Sequence, residues 1–548
     1  MTDSLRTLVD GIAGQWAVPG GAVLIVGRSG EVFSHQFGFA DVAGANLVAP
    51  HHLFQVGSIS KVFTSIVVLH LRRRGLVDLD QSVGSVLDWL PEPLRADGIT
   101  IRRLLNHTAG LVASVDALPD EIGQVASFTG EVSPASPGSF FHYSNLGFIL
   151  LGLVVRRVSG RRLVDLVRDD VFAPLGMTSS IACVTHDDYR SLARGCQPLH
   201  DDRPWAPGAA LVGAPWLEVA GADGNVAATA SDLGRFARML LGRGELEGSS
   251  VLDAADFATM WTSTAPDGED VLALPGVTPA DTSHYGLGVN VERSCGRTVL
   301  SHGGGMVGYA SFLLADLDDG VAVCVLTNAN GDSPVAEAIA RCVAAEYRSP
   351  GAVDPEALDP RWWDAGVLEH PADTVVFTSA ATSITVRVED RDGERVAMSV
   401  ECDGTRSPLW RNWSGRGVTT HPSLRRFALD YEAGVWRWGP REFTRAGDPV
   451  PLPAPVDDWE PLCGHYRSYT PWFTNFRVVL RRGRPFLVAA GGVEAPSEDM
   501  ELVHLEGSSF RIGADPRLPE RLTFGPRVGA MVPWVDRDGC RYSRSFTD

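Results

Sequence analysis

A serine and a lysine three residues apart, in Ser58-Ile59-Ser60-Lys61, are the first residues of this chain whose types and spacing suggest chemistry. On a helix, positions i and i+3 share a face, with about 5–6 Å between their Cβ atoms. A serine hydroxyl is a poor nucleophile until a neighbouring base takes its proton. A lysine amine can be that base once burial or a helix N-terminus lowers its pKa from about 10.4 towards 7. The pair therefore predicts a nucleophilic Ser58 with Lys61 beside it.

The lysine content of the chain supports this prediction. Lysine and arginine together number 48, and Lys61 is the only lysine. Arginine can replace lysine in most surface roles, but a guanidinium group stays charged and cannot act as a base. A single lysine at this position therefore favours a role in proton transfer.

A second motif, Tyr143-Ser144-Asn145, precedes an apolar stretch that predicts a buried helix. A phenol beside an ammonium group has a lowered pKa and can relay the seryl proton to a leaving group. An Asn amide can hold both the lysine and a substrate carbonyl. Tyr143 and Asn145 are therefore candidate site residues.

The third motif is Ser301-His302-Gly303-Gly304-Gly305, which leads into a predicted hairpin. Glycines allow the backbone to approach a ligand closely, so Gly303 and Gly304 are predicted to line the substrate site. The N–H of Gly305, together with that of Ser58, is predicted to form an oxyanion hole. His302 is a further catalytic candidate.

In this order, the motifs S-x-x-K, Y-x-N and H-G-G resemble the superfamily of serine β-lactamases, DD-peptidases and esterases, especially its class C-like branch. Similar stretches include 54–57 and 104–111, and the resemblance covers roughly residues 8–345. It implies that Ser58 is acylated, that Lys61 and Tyr143 share the acid–base work, and that Asn145 orients the substrate. Whether Lys61 or Tyr143 is the base stays open, because their titrations would be coupled.

His302 stands where many members of this superfamily have the lysine of K-T-G. This departure favours the esterase, aminopeptidase and transacylase members over β-lactam hydrolysis. The expected function is a serine hydrolase that cleaves an amide or ester bond through a Ser58 acyl-enzyme. A D-aminopeptidase, peptidase or esterase acting on small peptides or acyl compounds fits this description.

Two alternatives remain open, namely a transacylase or peptide cyclase that uses the same acyl-enzyme, and a non-catalytic penicillin-binding module. The sequence has no G-x-S-x-G or H-E-x-x-H motif, which argues against a Ser-His-Asp hydrolase and a zinc hydrolase. The chemistry needs no metal or organic cofactor.

Hydrophobic patterning predicts the elements that position these motifs. Hairpins are expected over 20–40 and 308–326. Helices are expected over 58–74, 147–158, 231–241 (with Ser231 as N-cap) and 334–347. Strands at both ends with helices between them predict an α/β (α+β) first domain, residues 1–348. The resemblance implies a β-lactamase/transpeptidase-like fold with a central antiparallel sheet.

The rest of the chain predicts a linker over 349–361 and two small all-β domains, 362–450 and 456–548, of barrel-like, lipocalin-like type. A Pro-rich break at 449–455 separates the two β domains. This arrangement looks like that of D-stereospecific aminopeptidases, in which the extra barrels shape substrate access. The aromatic stretch 466–473 is interpreted as a local core, with reach into a neighbouring cleft as the alternative.

Composition restricts the partners. The formal net charge of −19 and pI of about 5.2 disfavour nucleic acid and anionic membrane surfaces. No apolar run approaches a membrane span, no secretory signal is visible, and the eight cysteines are scattered, so a cytoplasmic location is expected. The expected partner is a small-molecule or short-peptide substrate, and the oligomeric state is open, with a homodimer among the options.

Overall fold

The protein is described by a computed structural model over residues 1–115, 120–218, 220–262, 264–328, 334–365, 374–390, 393–449 and 459–547. The chain forms a mixed α/β unit followed by two closed β-barrels. This fold class agrees with the sequence prediction.

The first unit is built on a seven-stranded antiparallel sheet. Its N-terminal hairpin pairs with the last strand, so that Gly21 lies opposite Thr327. Both predicted hairpins are present. In sheet order, the strands are Gly30–Gly38, Gly20–Gly27, Val321–Thr327, Tyr309–Asp316, Arg297–Met306, Asn290–Ser294 and Thr282–Tyr285.

Helices cover both faces of this sheet. Because side chains alternate along a strand, Val23 and Ile25 pack on one face while Leu24 and Val26 pack on the other. The first face is covered by the helices Thr2–Gln15 and Val335–Arg348. The second is covered by the helices Ser60–Arg73, Asn145–Ser159 and Ala230–Leu241.

The predicted N-cap Ser231 is wrong. The helix Ala230–Leu241 is capped by Thr229, whose side chain accepts a hydrogen bond from the N–H of Asp232, so Ser231 lies inside the helix. Shorter elements of this unit are the helices Ile101–Leu105, Glu121–Ser127, Leu163–Val167 and Ala254–Thr262 and the strand pairs Phe54–Gln55 with Ala227–Ala228 and Cys196–Pro198 with Leu211–Gly213.

Among the described residues, eight strands close each barrel, and a ninth, Trp362–Asp364, pairs with Arg395–Cys402 in the first one. The first, called the middle barrel here, closes through Arg395–Cys402 and Thr405–Arg411; its other strands are Thr374–Thr378, Ser383–Asp390, Gly417–Val418, Leu429–Glu432, Val435–Trp438 and Arg441–Arg445. The C-terminal barrel is an up-and-down barrel of Gly464–Arg467, Asn475–Arg481, Arg484–Ala489, Met500–His504, Ser509–Ile512, Arg521–Phe524, Trp534–Arg537 and Cys540–Arg544. Buried aromatic side chains fill both interiors, among them Trp436 and Tyr466.

The segments between the units differ in how they are held. The predicted linker contains a helical turn, Pro355–Leu358, and the Trp16 indole N–H donates to the Leu358 carbonyl at 3.0 Å. It is therefore packed against the first helix. Positions 450–455 of the Pro-rich break lie outside the described residues.

The C-terminal barrel contacts the first unit directly. Arg467 of the barrel donates two hydrogen bonds, of 2.7 and 3.0 Å, to the carboxylate of Asp201 in the first unit. Within the described part of the chain, no helix has the length and apolar character needed to cross a membrane.

Candidate active site

Ser58 lies in the turn Gly57–Ile59, directly before the buried helix Ser60–Arg73. It is half-buried, whereas its neighbours Gly57 and Ile59 are buried. The predicted helix thus begins two residues later than expected, and the turn presents Ser58 at the helix N-terminus.

Lys61 is fully buried, and its Nζ atom donates hydrogen bonds of 2.9 Å to Ser58 Oγ and to the Asp223 carbonyl. Burial lowers the pKa of Lys61 to about 8, although Asp223, Glu494 and Glu269 oppose this shift with their negative charge. An amine with this pKa is partly neutral near neutral pH, so it can accept the seryl proton.

The Asp223 carbonyl is held in place by the same helix that carries Lys61. Ser60 Oγ accepts a hydrogen bond from the Val226 N–H at 3.0 Å, and Thr64 Oγ1 donates to the Ala222 carbonyl at 2.7 Å. These two bonds fix the backbone around Asp223, and with it the direction of the Lys61 amine.

Tyr143 lies beside the same amine, with Lys61 Nζ 4.9 Å from the centre of its ring. Its buried hydroxyl has no hydrogen bond of normal geometry among the described residues, although the Ser58 hydroxyl is close enough to favour the phenolate slightly. Burial dominates and raises the pKa of Tyr143 well above its ordinary value. Tyr143 is therefore a neutral phenol here, which can donate a proton.

Asn145 begins the helix Asn145–Ser159, which Ser144 caps by accepting a hydrogen bond from the Gly147 N–H. Its Nδ2 donates to Glu494 Oε1 at 2.7 Å. Glu494 belongs to the C-terminal barrel, in the loop between Arg484–Ala489 and Met500–His504. A second domain thus supplies a carboxylate to this site.

The register of the hairpin after Gly303-Gly304 leaves the Gly305 N–H outside the ladder to the Tyr309–Asp316 strand. Met306 pairs with Tyr309 across a two-residue turn, so the antiparallel alternation makes Gly305–Ala310 a non-hydrogen-bonded pair. The Gly305 N–H therefore points away from the Tyr309–Asp316 strand. A Cβ atom at Gly57 would lie only 2.7 Å from the Gly305 nitrogen, so this donor and the Ser58 turn adjoin.

His302 is completely buried and both of its ring nitrogens have partners. Its Nδ1–H donates to the Gly303 carbonyl at 2.6 Å, so Nε2 accepts from the Tyr285 hydroxyl at 2.7 Å. Burial lowers the pKa of His302 to about 3, with a smaller contribution from the Lys61 charge. Its ring centre is 6.4 Å from that of Tyr143, and this geometry favours a supporting role behind Tyr143 over proton transfer.

Sequence reasoning missed two groups of residues around the site. The ring of His107 lies 4.2 Å from that of Tyr143, and His107 accepts a hydrogen bond from the Ser144 N–H. His107 belongs to the stretch 104–111, whose resemblance to the superfamily could have indicated it. The carboxyl groups of Asp223, Glu269 and Glu494 are close enough to Lys61 to act on its pKa. Burial raises the pKa of Glu269 itself to about 8. No sequence motif marked these three carboxyl groups.

A cavity of about 670 Å³ lies between the first unit and the C-terminal barrel. Asn145 and Asp223 line it from one side, and Glu494 and Trp472 line it from the other. In the aromatic stretch, Tyr466 and Phe473 belong to the barrel core while Trp472 reaches this cavity, so both sequence interpretations hold for different residues.

Comparison with known proteins assigns the first unit to a protein family. The sequence model of the β-lactamase family matches residues 5–346, which is more than half of the chain. The chain belongs to the β-lactamase family. A penicillin-binding protein of Bacillus subtilis (strain 168) is 26% identical over 349 residues, covering 60% of this chain and 71% of that protein. Penicillin-binding protein 4 of Amycolatopsis lactamdurans is 31% identical over 270 residues, covering 47% and 67%.

Solved structures show the same fold. The octameric penicillin-binding protein homologue from Pyrococcus abyssi superposes with a TM-score of 0.55 at 19% identity, over 81% of this chain and 99% of that chain. The D-amino acid amidase from Ochrobactrum anthropi SV3 superposes with a TM-score of 0.51 at 24% identity, over 64% and 99%. The first of these likenesses extends beyond the region that the family model matches.

Proposed function

We propose that this protein is a serine hydrolase that cleaves amide or ester bonds through an acyl-enzyme on Ser58. The observation that carries the proposal is the 2.9 Å hydrogen bond from Lys61 Nζ to Ser58 Oγ, in a place where burial lowers the pKa of the amine to about 8. A neutral Lys61 takes the seryl proton while Ser58 Oγ attacks the carbonyl carbon. The N–H groups of Ser58 and Gly305 stabilise the oxyanion.

Tyr143 completes the proton path. Its high pKa makes it a proton donor, so it protonates the leaving amine as the carbon–nitrogen bond breaks, and the Lys61 ammonium returns a proton to it. A water molecule then attacks the acyl carbon and gives its proton to the same pair, which passes a proton to Ser58 Oγ as the bond between Oγ and the acyl carbon breaks. This proposal makes Lys61 the base and Tyr143 the acid, whereas the sequence left open which of the two is the base.

The substrate class follows from the charge around the cavity. Asp223 and Glu494 line the cavity from its two sides, and Asn145 Oδ1 is an acceptor without a hydrogen-bond partner among the described residues. An ammonium group brings three donors and a positive charge, which suits two carboxylates and an amide oxygen. Substrates with a free α-amino group, such as amino acid amides and short peptides, are therefore favoured over N-acylated ones.

This reading makes the protein an aminopeptidase or amino acid amidase. The similarity in fold to a D-amino acid amidase adds the hypothesis of D-configured substrates. N-acylated compounds, which include penicillins, lack the ammonium group and would compete with Glu494 for the Asn145 amide.

The test is intact-mass spectrometry of the wild type and Ser58→Ala with a fluorophosphonate, combined with turnover of D- and L-alanine p-nitroanilides and their N-acetyl derivatives. The proposal expects one adduct that maps to Ser58, none in Ser58→Ala, and faster release of p-nitroaniline from the free amines. No adduct in the wild type would overturn the acyl-enzyme. Faster turnover of the N-acetyl compounds would overturn the substrate class alone.

A further inference from the structure

The segment from Phe140 to Asn145 lies between the candidate active site and the C-terminal barrel. It has no regular secondary structure before the helix that begins at Asn145, and the contacts of its side chains alternate between two directions. Phe141 and Tyr143 face the interior, where both rings contact that of His107. Phe140 and His142 face the barrel, where Phe140 contacts Arg517 and His142 contacts Glu520. One short segment thus carries site residues on one side and interface residues on the other.

Glu520 makes the central contact of this interface. Its Oε1 accepts hydrogen bonds from His142 Nε2 at 2.6 Å and from the Ala113 N–H at 2.9 Å. The carbonyl of the same Ala113 accepts the Asn145 N–H at 2.6 Å. A chain of hydrogen bonds therefore runs from the barrel carboxylate through Ala113 to Asn145, while a second branch ends next to Tyr143.

The charge on Glu520 is maintained by these donors. Burial acts to raise the pKa of Glu520, but His142 and the Ala113 N–H outweigh it and bring the pKa below its ordinary value. Two groups of the barrel, Asp538 and Arg521, interact electrostatically with Glu520, and Arg537 in turn acts on Asp538. Burial and Glu520 raise the pKa of Asp538 to about 8, and its Oδ1 accepts the Arg521 N–H.

We propose that Glu520 is a positioning residue, through which the C-terminal barrel fixes the segment that carries Tyr143 and Asn145. Glu520 touches neither Ser58 nor Lys61 in the contacts described, so it acts through His142 and Ala113. This inference rests on the proposed function for its kinetic consequences, but the positioning itself is a structural property. It gives the C-terminal barrel a role in catalysis at a site that belongs to another domain.

The test compares full-length Glu520→Ala and Glu520→Gln with the wild type, and uses Glu506→Gln as a matched control, because Glu506 is an exposed glutamate on the same barrel. Glu520→Ala removes the acceptor, and a shift of about 1 Å at Tyr143 lowers kcat by about 10- to 100-fold. Gln keeps an acceptor oxygen for Ala113, so Glu520→Gln should recover most of this loss, whereas loss of the barrel fold would not be relieved in this way. KM should change less than kcat in both variants.

Hydrogen exchange supplies a readout that does not depend on activity. In Glu520→Ala, peptides covering 140–147 should exchange faster than in the wild type, while peptides from the barrel strands keep their protection. Unchanged exchange of 140–147, or equal kcat in Glu520→Ala and the wild type, would overturn the positioning role. Failure of wild-type Ser58 to form an adduct would overturn the proposed function, and the exchange experiment would still decide the role of Glu520.

Discussion

Glu494 of the C-terminal barrel and Asn145 of the β-lactamase-like unit are joined by a hydrogen bond of 2.7 Å, although 349 positions separate them in the chain. Asn145 follows Tyr143 by two residues, and the negative charge of Glu494 acts to raise the pKa of Lys61. The cavity proposed to hold the substrate is therefore lined by two domains.

Removing the charge of Glu494 should change selectivity. Glu494→Gln keeps an acceptor for Asn145 but loses the carboxylate that pairs with an α-ammonium group. A charge-assisted hydrogen bond contributes about 1.5–3 kcal/mol, so kcat/KM for a free-amine anilide should fall by about 10- to 100-fold. Turnover of the N-acetyl anilide should change little. Equal losses on both substrates, measured beside Glu506→Gln, would contradict an ammonium site.

The same variant should shift the pH dependence. Lys61 must be neutral to act as the base, so the rising limb of kcat/KM should follow its pKa of about 8. Asp223, Glu494 and Glu269 raise this pKa, and the neutral His107 and His302 lie nearby. Loss of one negative charge disfavours the ammonium form and lowers the pKa, so the limb of Glu494→Gln should move to lower pH. A limb that stays in place or moves upwards would exclude Lys61 as its origin.

Replacement of Lys61 tests whether an amine is required. Lys61→Arg keeps a positive charge that cannot be lost, so turnover should fall nearly to the level of Ser58→Ala. Lys61→Ala leaves space in a buried site, and added methylamine should restore part of its activity. Rescue is measured as the rate against methylamine concentration, with Ser58→Ala as the control. Near-normal turnover by Lys61→Arg would rule out the base role.

Tyr143→Phe separates the two assignments of acid and base. If Tyr143 donates to the leaving amine, its loss should slow anilide hydrolysis by about 10²- to 10⁴-fold. Hydrolysis of a p-nitrophenyl ester should suffer much less, because p-nitrophenolate leaves without a proton. Parallel losses on anilide and ester would instead indicate that Tyr143 deprotonates Ser58.

Gly57 should be essential because of its contact with Gly305. Its φ is +52°, and an added Cβ would lie 2.7 Å from both the nitrogen and the oxygen of Gly305. Gly57→Ala should displace an oxyanion donor and lower kcat by about 10²- to 10³-fold. Gly75→Ala is the matched control, since Gly75 has a φ of +70° but open space around it. If the two variants lost the same small amount of activity, backbone strain alone would account for the effect.

Most patterns confined to short stretches of sequence predicted the right element. The 20–40 and 308–326 hairpins and the helices around 58–74 and 147–158 have strong periodicity and clear turn residues, and the structure contains them. The start of the helix after Ser58 brings Ser58 and Lys61 together, whereas the place of Tyr143 beside them was implied by the resemblance of the motifs. Their catalytic roles remain predictions for the experiments above.

Contacts between distant segments could not be read in this way. Glu494 stands in a loop without any motif, and only closure of the C-terminal barrel brings it to Asn145. One hydrogen-bond partner of His302 is Tyr285, which lies on a strand that is not a direct neighbour of the His302 strand in the sheet.

The N-cap at Thr229 differs from the expected Ser231 by two positions because both residue types favour helix starts.

The hydrogen bond between Glu494 and Asn145 also has a consequence for biosynthesis. After Asn145 has been added, the ribosome must add another 349 residues before Glu494 exists, which takes about 20–70 s at 5–20 residues per second. The β-lactamase-like unit can fold during this interval with Ser58 and Lys61 in place, but with one wall of the substrate site missing. If the proposed function holds, a nascent chain is expected to lack the full preference for free-amine substrates until the C-terminal barrel has closed against it.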